Sequence, residues 1–108
     1  MITRKDLYTI NEVPGRTVKE VLGYVKGSTV QTKNVGKDFM AALKSLVGGE
    51  IVGYTDMMNE ARKVATERLL KDAEDIGANG VVGLRLQTSA VMGGAAEIIA
   101  YGTAVIFE

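Results

Sequence analysis

Hydrophobic and polar positions change period several times along the chain, and each change marks an element. The segment Thr17 to Lys26 reads Thr-Val-Lys-Glu-Val-Leu-Gly-Tyr-Val-Lys, rich in β-branched and aromatic residues, and follows the turn signal Pro14-Gly15. It is predicted as the first long strand. A polar connection punctuated by Gly27, Asn34 and Gly36 leads to Asp38 through Leu46, where apolar residues at helical spacing predict a short helix ended by Gly48-Gly49.

From about Gly53 to Ile76 the period settles at 3.6 residues, with Tyr54, Met57, Met58, Ala61, Val64, Ala65, Leu69 and Ile76 along one broad stripe. This is predicted as the main helix, with a core-facing side. Thr55 or Asp56 can supply an oxygen to the unpaired amides of its first turn, and Gly77 suits the left-handed position just past its last. Glu67 and Lys71 stand one turn apart in the favourable acid-before-base order, which suits a solvated face.

After Ala78-Asn79-Gly80 the period becomes two. Val82, Leu84 and Leu86 alternate with Gly83, Arg85 and Gln87, predicting a second strand over Val81 to Thr88. The loop Met92-Gly93-Gly94-Ala95 then reverses the chain into Ala96 to Phe107, an almost unbroken apolar run. Within it Ile99, Tyr101, Val105 and Phe107 point one way and Ile98, Ala100, Ala104 and Ile106 the other, so neither side suits water. The order β-α-β-β predicts an α+β fold of two layers. Its three-stranded antiparallel sheet has the last, most apolar strand in the centre and the helices on one face.

Composition narrows what such a domain can do. At 108 residues with 46% hydrophobic and 24% charged positions, residues 1–108 are expected to form one folded domain. Thirteen basic and thirteen acidic residues cancel, leaving no field to attract nucleic acid or an anionic membrane, and neither is expected as a partner. There is no cysteine and no histidine, which removes thiolate nucleophiles, disulfides, the usual proton shuttle and the usual transition-metal ligands. No signal-peptide pattern and no membrane-spanning run is visible, so a cytoplasmic protein is expected.

The strings Val47-Gly48-Gly49-Glu50, Glu60-Ala61-Arg62, Gly77-Ala78-Asn79-Gly80-Val81-Val82-Gly83 and Ala100-Tyr101-Gly102-Thr103-Ala104-Val105 occur in this order. Together they resemble the YbjQ-like family of small bacterial and archaeal proteins, and the match reaches back to Pro14-Gly15 and Gly23. The resemblance implies a dodecin-like subunit, assembled as a closed ring of about five copies. It implies no reaction and carries a label of heavy-metal binding.

The residues themselves offer little to support that label. Heavy metals prefer soft ligands, and only the thioethers of Met1, Met40, Met57, Met58 and Met92 are present. Met57 and Met58 fall on the apolar stripe, where methionine fills a core, so no metal site is predicted. Asp72, Glu74 and Asp75 cluster near the end of the main helix, but residues one or two apart do not share a helical face, and a solvated acidic end is expected.

Val35-Gly36-Lys37-Asp38 lacks the spacing of a phosphate loop, and Gly77-x-x-Gly80-x-x-Gly83 leaves a helix for a strand, the reverse of a dinucleotide-binding turn. Arg62 and Arg68 can pair with carboxylates, bind an anion or bridge subunits. Arg68 and Asp72 are spaced to pair within the helix. The phenol of Tyr101 can satisfy a hydrogen bond at a sheet edge or an interface.

Three functional readings follow. The first is an oligomeric binding or scaffold module whose ligand, unnamed by the sequence, lies between subunits. The second is a divalent-metal protein, as the family label suggests. The third is a small enzyme drawing acid-base groups from Tyr101, Lys63 or Glu67 at a shared interface, although nothing in the sequence places these groups together. No catalytic residue is predicted, and no cofactor is named.

Overall fold

The computed structural model describes residues 1–32, 52–92 and 95–108, excepting the side chains of 31, 32, 52–54, 57, 90–92, 95 and 96. The short helix expected over Asp38 to Leu46, the turn at Gly93-Gly94 and the side chains of Tyr54 and Met57 lie outside it. A short 3-10 turn, Arg4–Asp6, precedes β1 (Val18–Thr32), α1 (Val52–Asp75), β2 (Gly80–Met92) and β3 (Ala95–Phe107). The sheet order is β1-β3-β2 and both pairings are antiparallel, so the apolar last strand is central, as its composition predicts.

The helix lies on one face of the sheet, over β1 and β3. Ala61, Ala65, Leu69 and Ala73, four residues apart and all 0% exposed, form the ridge that meets Val25, Ile98, Ala100 and Ala104. Three of the four ridge residues are alanine, so the helix backbone can come close to the strand. The contact is tightest at Gly27, where a Cβ would collide with the Ala65 carbonyl oxygen and the Leu69 amide nitrogen. Gly27 was expected to begin a loop. Instead β1 runs through it to Thr32, because the missing side chain makes room for the helix without breaking the ladder with β3.

The C-terminus of α1 closes as its sequence predicts. Gly77 has φ +84°, its N–H donates to the Glu74 carbonyl (3.0 Å), and the Ala78 N–H donates to the Ala73 carbonyl (3.0 Å), which is the full Schellman pattern. Ile76, assigned to the apolar stripe, falls at this closing turn and is 46% exposed instead. At the other end the helix begins at Val52, so Thr55 and Asp56 are inside its first turns and do not cap it.

Strict alternation fails in β2. A bulge between Val82 and Arg85, with Gly83 at φ +64°, inserts one residue against β3 and inverts the phase. Val82, expected to share a side with Leu84, therefore packs with Val105 and Phe107 on the far face, while Leu84 joins the core under the helix. Leu86 lies on the helix side but is 45% exposed, since α1 leaves β2 largely uncovered.

The first 17 residues do what no periodicity announced. They wrap the edge of β2: Ile2 and Leu7 pack into the helix-side core, then Tyr8 and Val13 pack against Val82, Val105 and Phe107 on the opposite face. The arm is stitched down by hydrogen bonds from Tyr8 N–H to the Val81 carbonyl (2.8 Å), Leu84 N–H to the Tyr8 carbonyl (2.9 Å) and Gly83 N–H to the Ile10 carbonyl (3.1 Å). It leaves through Val13-Pro14-Gly15-Arg16, closed by the Arg16 N–H to the Val13 carbonyl (3.1 Å), with Gly15 at φ +81° as a type II turn demands.

Candidate functional site

Local pairing rules place charged side chains within the helix, and the tertiary structure redirects several. Glu67 and Lys71 stand one turn apart in the order that favours a pair. Lys71 instead holds Asp75 (Nζ to Oδ1, 3.0 Å), and that hydrogen bond, with the charge behind it, raises the lysine above its ordinary 10.5. Arg68 and Asp72 do not pair with each other either. Arg68 donates to the Ser28 carbonyl (2.7 Å), and Asp72 accepts the Lys26 N–H (3.1 Å), both on the outer edge of β1. The two residues flank Gly27, so the helix is tied to the strand on either side of its closest approach. Charged groups thereby occupy backbone positions that would otherwise be open to another strand.

The acidic end of α1 is divided among these duties, with Asp72 on β1 and Asp75 on Lys71. Among the described residues no three of Asp, Glu, Cys or His come together to hold a metal ion.

The acid-base candidates are separated by the sheet. Tyr101 pairs in register with Lys26 and Arg85 and shares the open face of the sheet with Tyr24, on the side away from the helix. Lys63 and Glu67 are on the outer side of α1, where they line a hollow of about 270 Å³ with Arg4, Asn59, Arg62 and Thr66. No shared site for Tyr101, Lys63 and Glu67 forms within one subunit. The hollow itself joins two segments: Asn59, Arg62, Lys63, Thr66 and Glu67 recur at helical spacing, and Arg4 reaches them from the N-terminal arm. Within it Arg62 Nη1 donates to Asn59 Oδ1 (2.9 Å), and Thr66 Oγ1 donates to the Arg62 carbonyl (2.8 Å). Arg4 carried no signal in the sequence, because only the docking of the arm brings it to this wall, while Asn59 and Thr66 share the wall through helical spacing alone.

Comparison with known proteins agrees with the geometry as far as fold. A crystal structure from Pediococcus pentosaceus, of a protein with unknown function in the DUF74 family, superposes with a TM-score of 0.64, covering 94% of this chain and 96% of that one at 20% identity. In sequence, the chain is similar to a UPF0145 protein of Halalkalibacterium halodurans, 63% identical over 94% of this chain and 96% of the relative. UPF0145 proteins of Clostridium perfringens and Thermotoga maritima are 53% and 55% identical, each over 93% of this chain and 94% of the relative.

Residues 6–108 match the YbjQ_1 family, whose description reads "Putative heavy-metal-binding". Among the described residues of this chain, the donors do not fit a soft metal. The chain has neither cysteine nor histidine, Met1 is wholly exposed, and Met58 is 7% exposed within the core. Identity above one half across more than nine-tenths of several relatives, with a family match from residue 6 to the last, makes this chain a member of the YbjQ family.

Proposed function

We propose that the protein acts as a subunit of a cyclic homo-oligomer, a binding or scaffold module in which each subunit buries the open face of its β1–β3 pair against a different patch of the next subunit. One observation carries this reading: on that face Val21 is 65% exposed, Tyr24 73%, Val30 51% and Tyr101 39%. The register sets all four on the side of the sheet away from α1, and the N-terminal arm covers only the end near Val105 and Phe107. Covering roughly 400 Å² of such surface at about 25 cal/mol per Å² contributes on the order of 10 kcal/mol before association costs.

A ring of about five subunits is the stoichiometry the family resemblance supports, and closed symmetry is the common solution for soluble homo-oligomers. The same reading places the assembly in the cytoplasm. No helix among the described residues is long and apolar enough to cross a membrane. Size exclusion with light scattering tests the proposal. A mass several times 11.5 kDa is expected. A mass near 11.5 kDa at tens of micromolar would overturn oligomerisation, and a stable dimer would overturn the ring.

A further inference from the structure

The hollow between the N-terminal arm and the outer side of α1 is lined by three cations, Arg4, Arg62 and Lys63, against one carboxylate, Glu67. Among the described residues none of these three cations is in an ion pair, although Arg16 and Lys71 both are. Arg62 is held by a neutral group. The Asn59 amide oxygen takes one of its five N–H donors and fixes the guanidinium without cancelling its charge. A planar fork held in place, with its remaining donors unspent and two further positive charges on the same wall, matches the requirements of a phosphate dianion. A volume of about 270 Å³ accommodates the phosphate with a small organic group attached.

We infer that this hollow binds a phosphate dianion, free or as the monoester of a small alcohol, with Arg62 as the fork and Arg4 and Lys63 as flanking charges. The site lies on the helix side of the subunit, opposite the sheet face assigned above to assembly. All of its lining comes from one chain, and phosphate binding and oligomer mass are read by separate experiments, so either reading can fail alone.

Titration of the whole protein with inorganic phosphate and with glycerol phosphate, followed by amide chemical shifts, tests the inference. Saturable shifts are expected at Asn59 to Glu67 and around Arg4, and the tighter of the two titrants names the natural form. Arg62→Ala is expected to weaken binding about tenfold or more, since it removes charge-assisted hydrogen bonds. Arg4→Gln, on a separate segment, is expected to weaken it severalfold through charge alone. Glu67→Gln should tighten binding, and Lys19→Ala, on exposed β1, should leave it unchanged. Matching thermal melts would show the variants to be folded. The inference is overturned by any of three results: no saturation by tens of millimolar of either titrant, the same shifts from chloride at matched ionic strength, or unchanged affinity in both Arg62→Ala and Arg4→Gln.

Discussion

At Gly77 the backbone sits at φ +84° and nothing lies within 4 Å of where a Cβ would stand, so the position demands a conformation and imposes no steric limit. Gly77→Val is therefore expected to cost about 1 to 2 kcal/mol, the strain of a β-branched residue at positive φ, read as a lowered melting midpoint. Asparagine, which tolerates that region, should cost less. Gly27 is the opposite case. Its backbone is ordinary extended strand, but the α1 backbone occupies the space of a side chain, with the Arg68 carbonyl carbon 2.8 Å from an ideal Cβ. Gly27→Ala must push a helix off a sheet, and the expected loss is about 3 kcal/mol, beyond that of Gly77→Val in the same melting experiment. Equal or smaller loss at Gly27 would show that the helix can shift. Gly77 was legible because a helix end leaves a local signature. Gly27 was not, because its requirement comes from residues some forty positions away.

At the scale of elements, periodicity read the three strands and the long helix, and it placed the most apolar strand centrally. It misjudged places where an element answers to a neighbour. The Gly83 bulge moved Val82 to the far face, and Arg68 and Asp72, four apart on one helix, each found a backbone partner on β1. The N-terminal arm is the largest omission. Its apolar residues are too sparse to show a period, and they bind two faces of the sheet in turn. What secures the arm is compact: the Arg16 guanidinium stands 4.1 Å from the Phe107 ring centroid, donates to the Tyr8 hydroxyl at 3.0 Å and lies 3.6 Å from Asp6. Tyr8 meets the same Phe107 ring edge-on at 6.0 Å. Arg16→Ala removes the cation–π contact and the hydrogen bond together, worth about 1 to 2 kcal/mol of local stability. The effect is expected to be local, with the arm opening while the sheet stays folded. Hydrogen exchange at the Tyr8, Gly83 and Leu84 amides should quicken about tenfold while central β3 amides keep their protection. Uniform loss of protection would mean that arm and sheet unfold as one unit.

For the whole molecule, the hydrophobic pattern of β3 raised a question that one subunit answers only in part. Both sides of that strand are apolar; α1 covers one, and the arm covers the other as far as Val105 and Phe107, leaving Tyr101 exposed beside Tyr24 of β1. Free edges offer no easier route to assembly along the middle of β1, where Arg68 and Asp72 already occupy the Ser28 carbonyl and the Lys26 amide. The face is therefore the surface to perturb. Tyr24→Lys with Tyr101→Lys introduces two ammonium groups per subunit beside Lys26 and Arg85, positions already in register with Tyr101. Both changes are at exposed positions, so the subunit fold should survive them. The assembled face would have to desolvate clustered like charges, a cost of several kcal/mol against the apolar gain. Light scattering should then show the double variant at 11.5 kDa, with the helical circular dichroism of the parent retained. A variant that keeps the parent's assembled mass would place the subunit contact elsewhere and leave the exposed tyrosines without that role.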